Sequence, residues 1–507
     1  MASLTIRLHP ADNVVVAGVD LLPGTVLPGT GVAARATVPA GHKVAVQPIA
    51  VGEPVRKYNQ VIGFATAPIE PGDHVHVHNL GMGDDFERDY AFGADAHPTA
   101  FVPEAERATF RGIVRADGRV ATRNCIGVLT TVNCSATAAR MIADQFRGTA
   151  LADHPNIDGV VALTHAYGCG MSSHGDAIDA LRRTIAGYAR HPNFAAVVVL
   201  GLGCEVNQID TLVEVEGLTV GETLHTLAIQ ESGGTAATVR EGVKRIQALL
   251  PRVNEVRRQT VPASHLTLAL QCGGSDGYSG ITANPALGHA VDLLIRNGGT
   301  AVLSETPEIY GAEHLLTRRA VNREVGEKLV ERIRWWEDYT TRTGGEMNNN
   351  PSPGNKKGGL TTILEKSLGA VAKAGTTNLV DVVRYAEPIR GPGLVFMDTP
   401  GYDPVSATGQ VAGGANVLCF TTGRGSVFGC KPTPSLKLAT NTALYRKMTD
   451  DMDIDCGTIA TGDATIEEVG RAIFQMVLDT ASGRKTKSEE LGFGSDEFTP
   501  WQMGAVM

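Results

Sequence analysis

Three cysteines close three similar apolar runs. Cys134 follows IGVLTTVN, Cys169 follows VVALTHAYG and Cys204 follows AVVVLGLG, at two successive intervals of 35 residues. That spacing is about one strand, one helix and their turns. A fourth, Cys272, closes LTLALQ just before Gly273-Gly274. If the runs are strands of a parallel sheet, the thiols lie at its carboxyl edge, where open α/β sheets bind ligands. Thiolates gathered there can hold an iron ion or an iron–sulfur cluster and leave a position for substrate. The competing reading of each cysteine is a small buried apolar side chain near a strand end. Cys125, Cys419, Cys430 and Cys456 have no comparable setting and read as structural.

Polar groups flank these turns. Thr164-His165 precede Cys169, Glu205 follows Cys204, and His174 and Asp176 follow the Cys169 turn. Imidazole and carboxylate can accept protons or bind metal; any one of them alone also fits a helix cap or a hydrogen-bonded scaffold residue. After Cys272 comes Gly273-Gly274-Ser275-Asp276, whose consecutive glycines let backbone N–H groups face an anion. Glu305 and Glu308 at the next strand end add carboxylates suited to a hard cation, with N-capping as the alternative. Lys356 and Lys357 sit in a Pro/Gly-rich loop and Arg424 in Thr422-Gly423-Arg424-Gly425. These cations, with Arg123, can grip a carboxylate. Finally, alternation along a strand puts His74, His76 and His78 on one face. There they can bind metal, shuttle protons or line a titratable surface.

The elements that must position these groups follow from periodicity. Residues 1–95 alternate in short runs (NVVVAGVDL, HKVAVQPI, HVHVHNL) punctuated by Pro23-Gly24, Ala40-Gly41 and Pro71-Gly72, which predicts an all-β module. Residues 96–112 show no period and form a linker. From 113 to 256 and again from 257 to 507, apolar runs alternate with helical stretches, which predicts two α/β domains with parallel sheets. EMNNNPSPGNKKGG reads as a loop.

Composition sets outer limits. The 507 residues carry a net charge of −9 and no long basic run, so nucleic acid is not an expected partner. No apolar stretch approaches the length of a membrane span and the first residues lack a secretory pattern, so a cytoplasmic location is expected. Eight cysteines are then thiols or ligands rather than disulfides. No G-x-G-x-x-G opens a helix after the first α/β strand, which argues against an NAD-dependent dehydrogenase.

Taken together, GHKVAVQPI, HVHVHNL, the ATRN-to-VNC segment, YGCG, LGLGCE, QCGGSDGYSGITANPALG, NPSPGNKKGGL and FTTGRGS resemble the galactarate and altronate dehydratase family over nearly the whole chain. The resemblance implies an N-terminal β-clip of SAF type, a middle dimerisation domain and a C-terminal Rossmann-like domain. It implies a homodimer, an iron(II) requirement (one ion or a cluster) and removal of water from a sugar acid to give a 3-deoxy-2-keto acid. The His-rich strand is similar to the altronate branch, while NKKGGL, AVNREVGEKLVERIRWWEDY and GTIATGDATIEEVG are similar to the galactarate branch; FTPWQMGAVM departs from both. On this reading iron sits among Cys134, Cys169 and Cys204, with Cys272 as a further ligand. His165 is the base, with Glu205 and Glu305 as alternatives. Arg123, Lys356 and Arg424 hold the substrate's carboxylate or hydroxyl groups, and Lys43, His76 and His78 bring the β module over the pocket as a lid. A lyase that eliminates sulfite from a sulfonated hydroxy acid is the second enzymatic reading, and such enzymes are usually split into two polypeptides. A ligand-sensing β module on an α/β scaffold is the non-enzymatic one.

Overall fold

Short strands joined by glycine turns build the N-terminal module. The computed structural model describes residues 4–83 and 90–504. In it β1 (Thr5–Ile6), β2 (Val14–Ala17), β3 (Lys43–Ala45) and β4 (His74–Val75) form an antiparallel sheet in that order. A second sheet joins Pro54–Lys57, Gln60–Ala65 and Leu80–Gly81. At Gly72 (φ 91°) an added Cβ would stand 2.1 Å from the Ala33 carbonyl oxygen, so the turn before β4 admits only glycine. The His-rich run is strand only at His74–Val75; residues 76–79 leave the ladder as a turn, so the expected alternation of its three imidazoles does not hold. Val14, Val55, Ile62 and Val75 share one apolar cluster with Leu268, Ala283 and Ile363 of the C-terminal domain, while Val15, Leu21, Leu27, Val38 and Val44 form a small cluster of the module's own.

The stretch expected to be a linker ends in a strand. Thr109–Val114 pairs antiparallel with Arg258–Pro262 and with Val120–Ala121, which ties both edges of the middle domain together.

In the middle domain, β5 (Cys125–Thr130), β6 (Gly159–Leu163), β7 (Phe194–Gly201) and β8 (Leu224–Ala228) are parallel, in the order β6-β5-β7-β8. Helix α1 (Asp176–Ala189) follows β6.

The C-terminal domain is a seven-stranded parallel sheet. Its elements include β9 (Thr267–Cys272), α2 (Ala283–Arg296), β10 (Thr300–Leu303), α3 (Pro353–Lys357), α4 (Ile363–Ala372), β11 (Leu379–Val383), β12 (Gly393–Met397), α5 (Asp403–Ala412), β13 (Val417–Thr422), β14 (Ser435–Ala439) and β15 (Ile454–Asp455). The sheet order is β11-β12-β10-β9-β13-β14-β15. The chain leaves β9 toward β10 on one side and returns to β13 on the other, so the switch point lies between β9 and β13. Both faces are covered. Leu268, Leu270, Leu394 and Phe396 pack into one cluster, while Ala269, Val302, Val395 and Leu418 pack into another, as period-two strands require.

That second cluster also receives Leu129, Val161 and Val197 from the middle sheet, so the two sheets share an apolar layer. A cleft of about 450 Å³ is lined by Pro192 and Asn416, which precede β7 and β13, by Thr267, which opens β9, and by the last turns of α1 and α5 at Gly187 and Ala412. The amino edges of both sheets therefore meet there, and their carboxyl edges open on the opposite side. Among the described residues no helix is long and apolar enough to cross a membrane.

Candidate functional site

The carboxyl ends of β9 and β10 carry a buried ionic cluster. Cys272 ends β9, and Glu305 and Glu308 follow β10; each offers a ligand atom within 4.8 Å of the other two. Lys373 Nζ donates to Cys272 Sγ at 3.0 Å and stands 3.8 Å from Glu305 Oε2. Lys366 Nζ donates to Glu308 Oε1 at 2.5 Å, and Asn350 Nδ2 donates to the same oxygen at 2.8 Å. Among the described residues neither Glu305 oxygen has a hydrogen-bond partner, although the residue is 1% exposed. Burial, then the neighbouring Glu308 charge, hold its carboxyl well above the usual range. Its backbone is left-handed (φ 71°, ψ 68°), a conformation that costs a non-glycine residue about 1–3 kcal/mol. Thr399 fixes it, its Oγ1 accepting from the Glu305 N–H at 3.0 Å. A strained, unpartnered, buried carboxylate at a strand end is a group held ready for a reacting proton or a cation.

Asp403, at the start of α5, completes the cluster. Burial, then Glu308, raise its carboxyl to about 7. A Cβ on Gly273 would stand 2.2 Å from its Oδ2, so the Gly-Gly turn after β9 makes room for this carboxylate. Below, Gln271 Nε2 donates to Ser406 Oγ (2.7 Å) and Gln410 Oε1 (2.8 Å), which locks the strand end to α5.

Helix α4 connects this cluster to the β module. Glu365 points to the module and accepts from Lys43 Nζ (2.8 Å) and Lys57 Nζ (3.0 Å), all three fully buried. Lys366 and Lys373 point to the cluster. Lys43 Nζ also donates to the Gly359 carbonyl at 2.7 Å. Lys43 is thus a structural cation, not the substrate ligand expected of it, because every hydrogen bond it makes is spent on the domain seam. The module is seated by buried charge and by Tyr278 Oη donating to the Ala17 carbonyl (3.1 Å), and is not a loose lid.

Four imidazoles line the same seam. His42 Nδ1 and His74 Nε2 are 3.0 Å apart, His76 Nε2 donates to the Lys356 carbonyl at 2.8 Å, and His42 Nε2 reaches the Lys357 carbonyl at 3.3 Å. The one-turn helix α3, capped by Ser352, presents those carbonyls, so the segment expected to be loop is partly helical. The Lys356 side chain is half-buried; His78 and Arg424 are exposed.

The three thiols of the middle domain, Cys134, Cys169 and Cys204, are exposed and free, in the loops after the adjacent strands β5, β6 and β7. Those loops are stitched together. Asn133 N donates to the Tyr167 carbonyl (2.9 Å), and Asn207 N to the Gly168 carbonyl (3.0 Å). Cys272 is not with them: it is buried in the other sheet. Glu205 is consumed by this stitching. Its Oε1 accepts from Thr131 Oγ1 (2.7 Å) and Leu202 N (3.1 Å), and its Oε2 from Gly203 N. Against the effect of burial, these bonds hold its carboxyl below the usual range, so it anchors the Cys204 turn and is no free base. His165 is likewise occupied. Its Nδ1 accepts from Tyr167 N (3.1 Å), its Nε2 donates to the Thr130 carbonyl (2.9 Å), and burial lowers it to about 4. Arg123 is buried against Glu489 (2.5 and 2.8 Å) and three backbone carbonyls, at the amino edge, and cannot reach a substrate at the carboxyl edges.

Lys366, Lys373 and Asp403 were not legible as site residues. The signal available was the spacing of the two lysines, seven apart on a largely apolar helix and its C-cap, which puts both on one face.

Comparison with known proteins follows this layout. Residues 3–83 match the altronate/galactarate dehydratase SAF domain, and residues 112–254 the second domain of D-galactarate dehydratase/altronate hydrolase. Residues 263–506 match the C-terminal domain of D-galactarate/altronate dehydratases. The chain is 40% identical over 497 residues to galactarate dehydratase (L-threo-forming) of Escherichia coli, covering 96% of this chain and 94% of that one. It is 36% identical over 493 residues to altronate dehydratase of Bacillus subtilis, covering 96% and 97%. It is also 34% identical over 394 residues to (2R)-sulfolactate sulfo-lyase subunit beta of Chromohalobacter salexigens, covering 77% of this chain and 96% of that one.

Proposed function

The chain belongs to the D-galactarate/altronate dehydratase family, and on that premise we propose that it eliminates water from galactarate or altronate to leave a 3-deoxy-2-keto acid. The observation that carries this reading to particular residues is Glu305, a buried carboxylate with no hydrogen bond among the described residues, at the carboxyl edge of the large sheet.

Elimination begins by breaking a C–H bond beside a carboxylate, where the proton is weakly acidic because the charge formed adds to one already present. Glu305, with its raised affinity for protons, takes that proton. Lys366 and Lys373 hold two buried positive charges beside it and stabilise the enediolate charge as it develops. Asp403, titrating near neutrality, hands a proton to the departing hydroxyl. Arg424, exposed on the loop after β13, and Lys356 on α3 hold the far end of the acid in this reading. The enol product then tautomerises to the 2-keto acid.

The iron expected from the sequence resemblance would be held by Cys134, Cys169 and Cys204, exposed thiols in interlocked loops that offer the soft donors such a group takes. When bound, it would supply Lewis acidity toward a hydroxyl oxygen. We further propose a cytoplasmic homodimer; light scattering should give about twice the 53.3 kDa chain mass.

The test is an anaerobic assay of galactarate and altronate, with and without ferrous ion, that follows the 2-keto acid. Turnover of either acid is the expected result. Sulfite release from sulfolactate, with neither sugar acid consumed, would overturn the proposal in favour of the sulfo-lyase chemistry named for the third relative.

A further inference from the structure

Three of the four imidazoles at the seam are held in a defined hydrogen-bonded arrangement. A carbonyl oxygen only accepts, so the Nε2 atoms of His42 and His76 carry their protons toward Lys357 and Lys356. Neutral His42 then has a bare Nδ1, which accepts from His74 Nε2–H at 3.0 Å. It follows that the Nδ1 atoms of His74 and His76 both keep free lone pairs. Metal-binding histidines have this pattern: one ring nitrogen donates to a carbonyl or similar acceptor, which fixes the tautomer and turns the other nitrogen to the ion.

The pairwise ring separations agree, and because the nitrogens of the three rings do not all lie within 4.8 Å of one another, the third ring must turn to join the first two. With metal–nitrogen bonds of about 2.0–2.1 Å, an ion stands roughly 3 Å from each ring centre, and two rings at the tetrahedral angle are then roughly 5 Å apart. His74 and His76 are 5.4 Å apart, and His74 and His78 5.6 Å. His78 is exposed and, among the described residues, forms no hydrogen bond, so its ring is free to turn toward the same point. The nearest buried cation, Lys43, faces the other way, into Glu365.

We propose that His74 and His76, with His78 as a third ligand, bind a divalent transition-metal ion at the seam between the β module and the C-terminal domain. The remaining coordination positions are open to water or to oxygens of a hydroxylated acid. Imidazole ligands select zinc, nickel, copper or ferrous ions over calcium or magnesium. His42 is a positioning residue: it sets the His74 tautomer and does not touch the ion. The site is independent of the thiol rim and of the dehydration chemistry.

The experiment uses the full chain with Cys134, Cys169 and Cys204 changed to Ser, stripped by chelator and titrated with Zn²⁺ and Co²⁺. One equivalent is expected to bind, and bound Co²⁺ should show no sulfur-to-metal charge transfer. His74→Ala and His76→Ala should abolish binding, and His42→Ala should weaken it about 10–100-fold, as loss of an orienting partner does. In the unsubstituted chain, which needs no altered fold, Zn²⁺ should protect His74 and His76 from acylation by diethylpyrocarbonate, read by peptide mass. Absence of saturable binding, binding unchanged in the His74 and His76 variants, or equal acylation with and without Zn²⁺ would each overturn the proposal.

Discussion

Glu305 Oε2 lies 3.8 Å from Lys373 Nζ, outside hydrogen-bond reach, although both side chains are 1% exposed. The pair attracts without being bonded, so the carboxylate keeps its lone pairs for a substrate proton. Glu305→Gln should therefore lower kcat by about 10²–10⁴-fold. It should leave Tm unchanged or raised, because an unpartnered buried acid is removed. Anaerobic 2-keto acid formation and a thermal melt check both halves; near-normal kcat would remove Glu305 from the chemistry.

Asp403 gives the pH dependence a sign. Its folded carboxyl titrates near 7, above its usual 3.8, so the folded chain keeps a proton that the unfolded chain has released. Its contribution to stability is full below about pH 4 and is lost as pH rises through 7. Denaturant midpoints across that window should decline less steeply in Asp403→Asn, and wild-type kcat should fall above pH 7 as the proton donor is lost. An identical slope in the variant would contradict this.

Glu365 has the opposite sign. Burial alone would raise its carboxyl, but Lys43 and Lys57 pull it down to about 2. The stabilisation is present above its usual 4.5 and disappears as pH falls toward 2. Glu365→Gln leaves two buried ammonium groups unpaired and should cost about 3–5 kcal/mol, read as a lower denaturant midpoint. Replacing Lys43, Lys57 and Glu365 together by apolar residues should recover most of that loss.

Cys169→Ser should reduce bound iron and activity together in anaerobically prepared enzyme, since serine offers a poor ligand for a soft site. Normal iron content and full turnover would separate the thiol rim from the reaction.

Arg123→Lys should destabilise the fold without a selective change in KM. The guanidinium is shared between a bidentate carboxylate and three carbonyls, a geometry that an ammonium does not reproduce. A large KM effect at unchanged Tm would restore it as a substrate ligand.

The strands were legible because their apolar runs are short, β-branched and closed by glycine. CIGVLT coincides with an observed strand, and LTLALQ and NVLCFTT lie within theirs in all but their first residue. The resemblance motifs likewise anticipated the family. Residue roles were harder to read, for a physical reason. Sequence shows that His165, Glu205, Arg123 and Lys43 are polar near strand ends, but not whether backbone atoms already satisfy them. Their partners, such as Thr130 and Glu489, lie tens to hundreds of residues away. Lys366 and Lys373 were hidden in an apolar helix, where lysine reads as surface until the facing carboxylates of another strand are seen.

One turn of α4 places Glu365 and Lys366 back to back, the first gripping the β module and the second gripping Glu308. Consecutive residues of a helix cannot shift independently. A tug on the module at Lys43 is thus transmitted through a single rigid peptide to the electrostatics around Glu305, and the small N-terminal module works as a handle on the acid–base machinery beneath it.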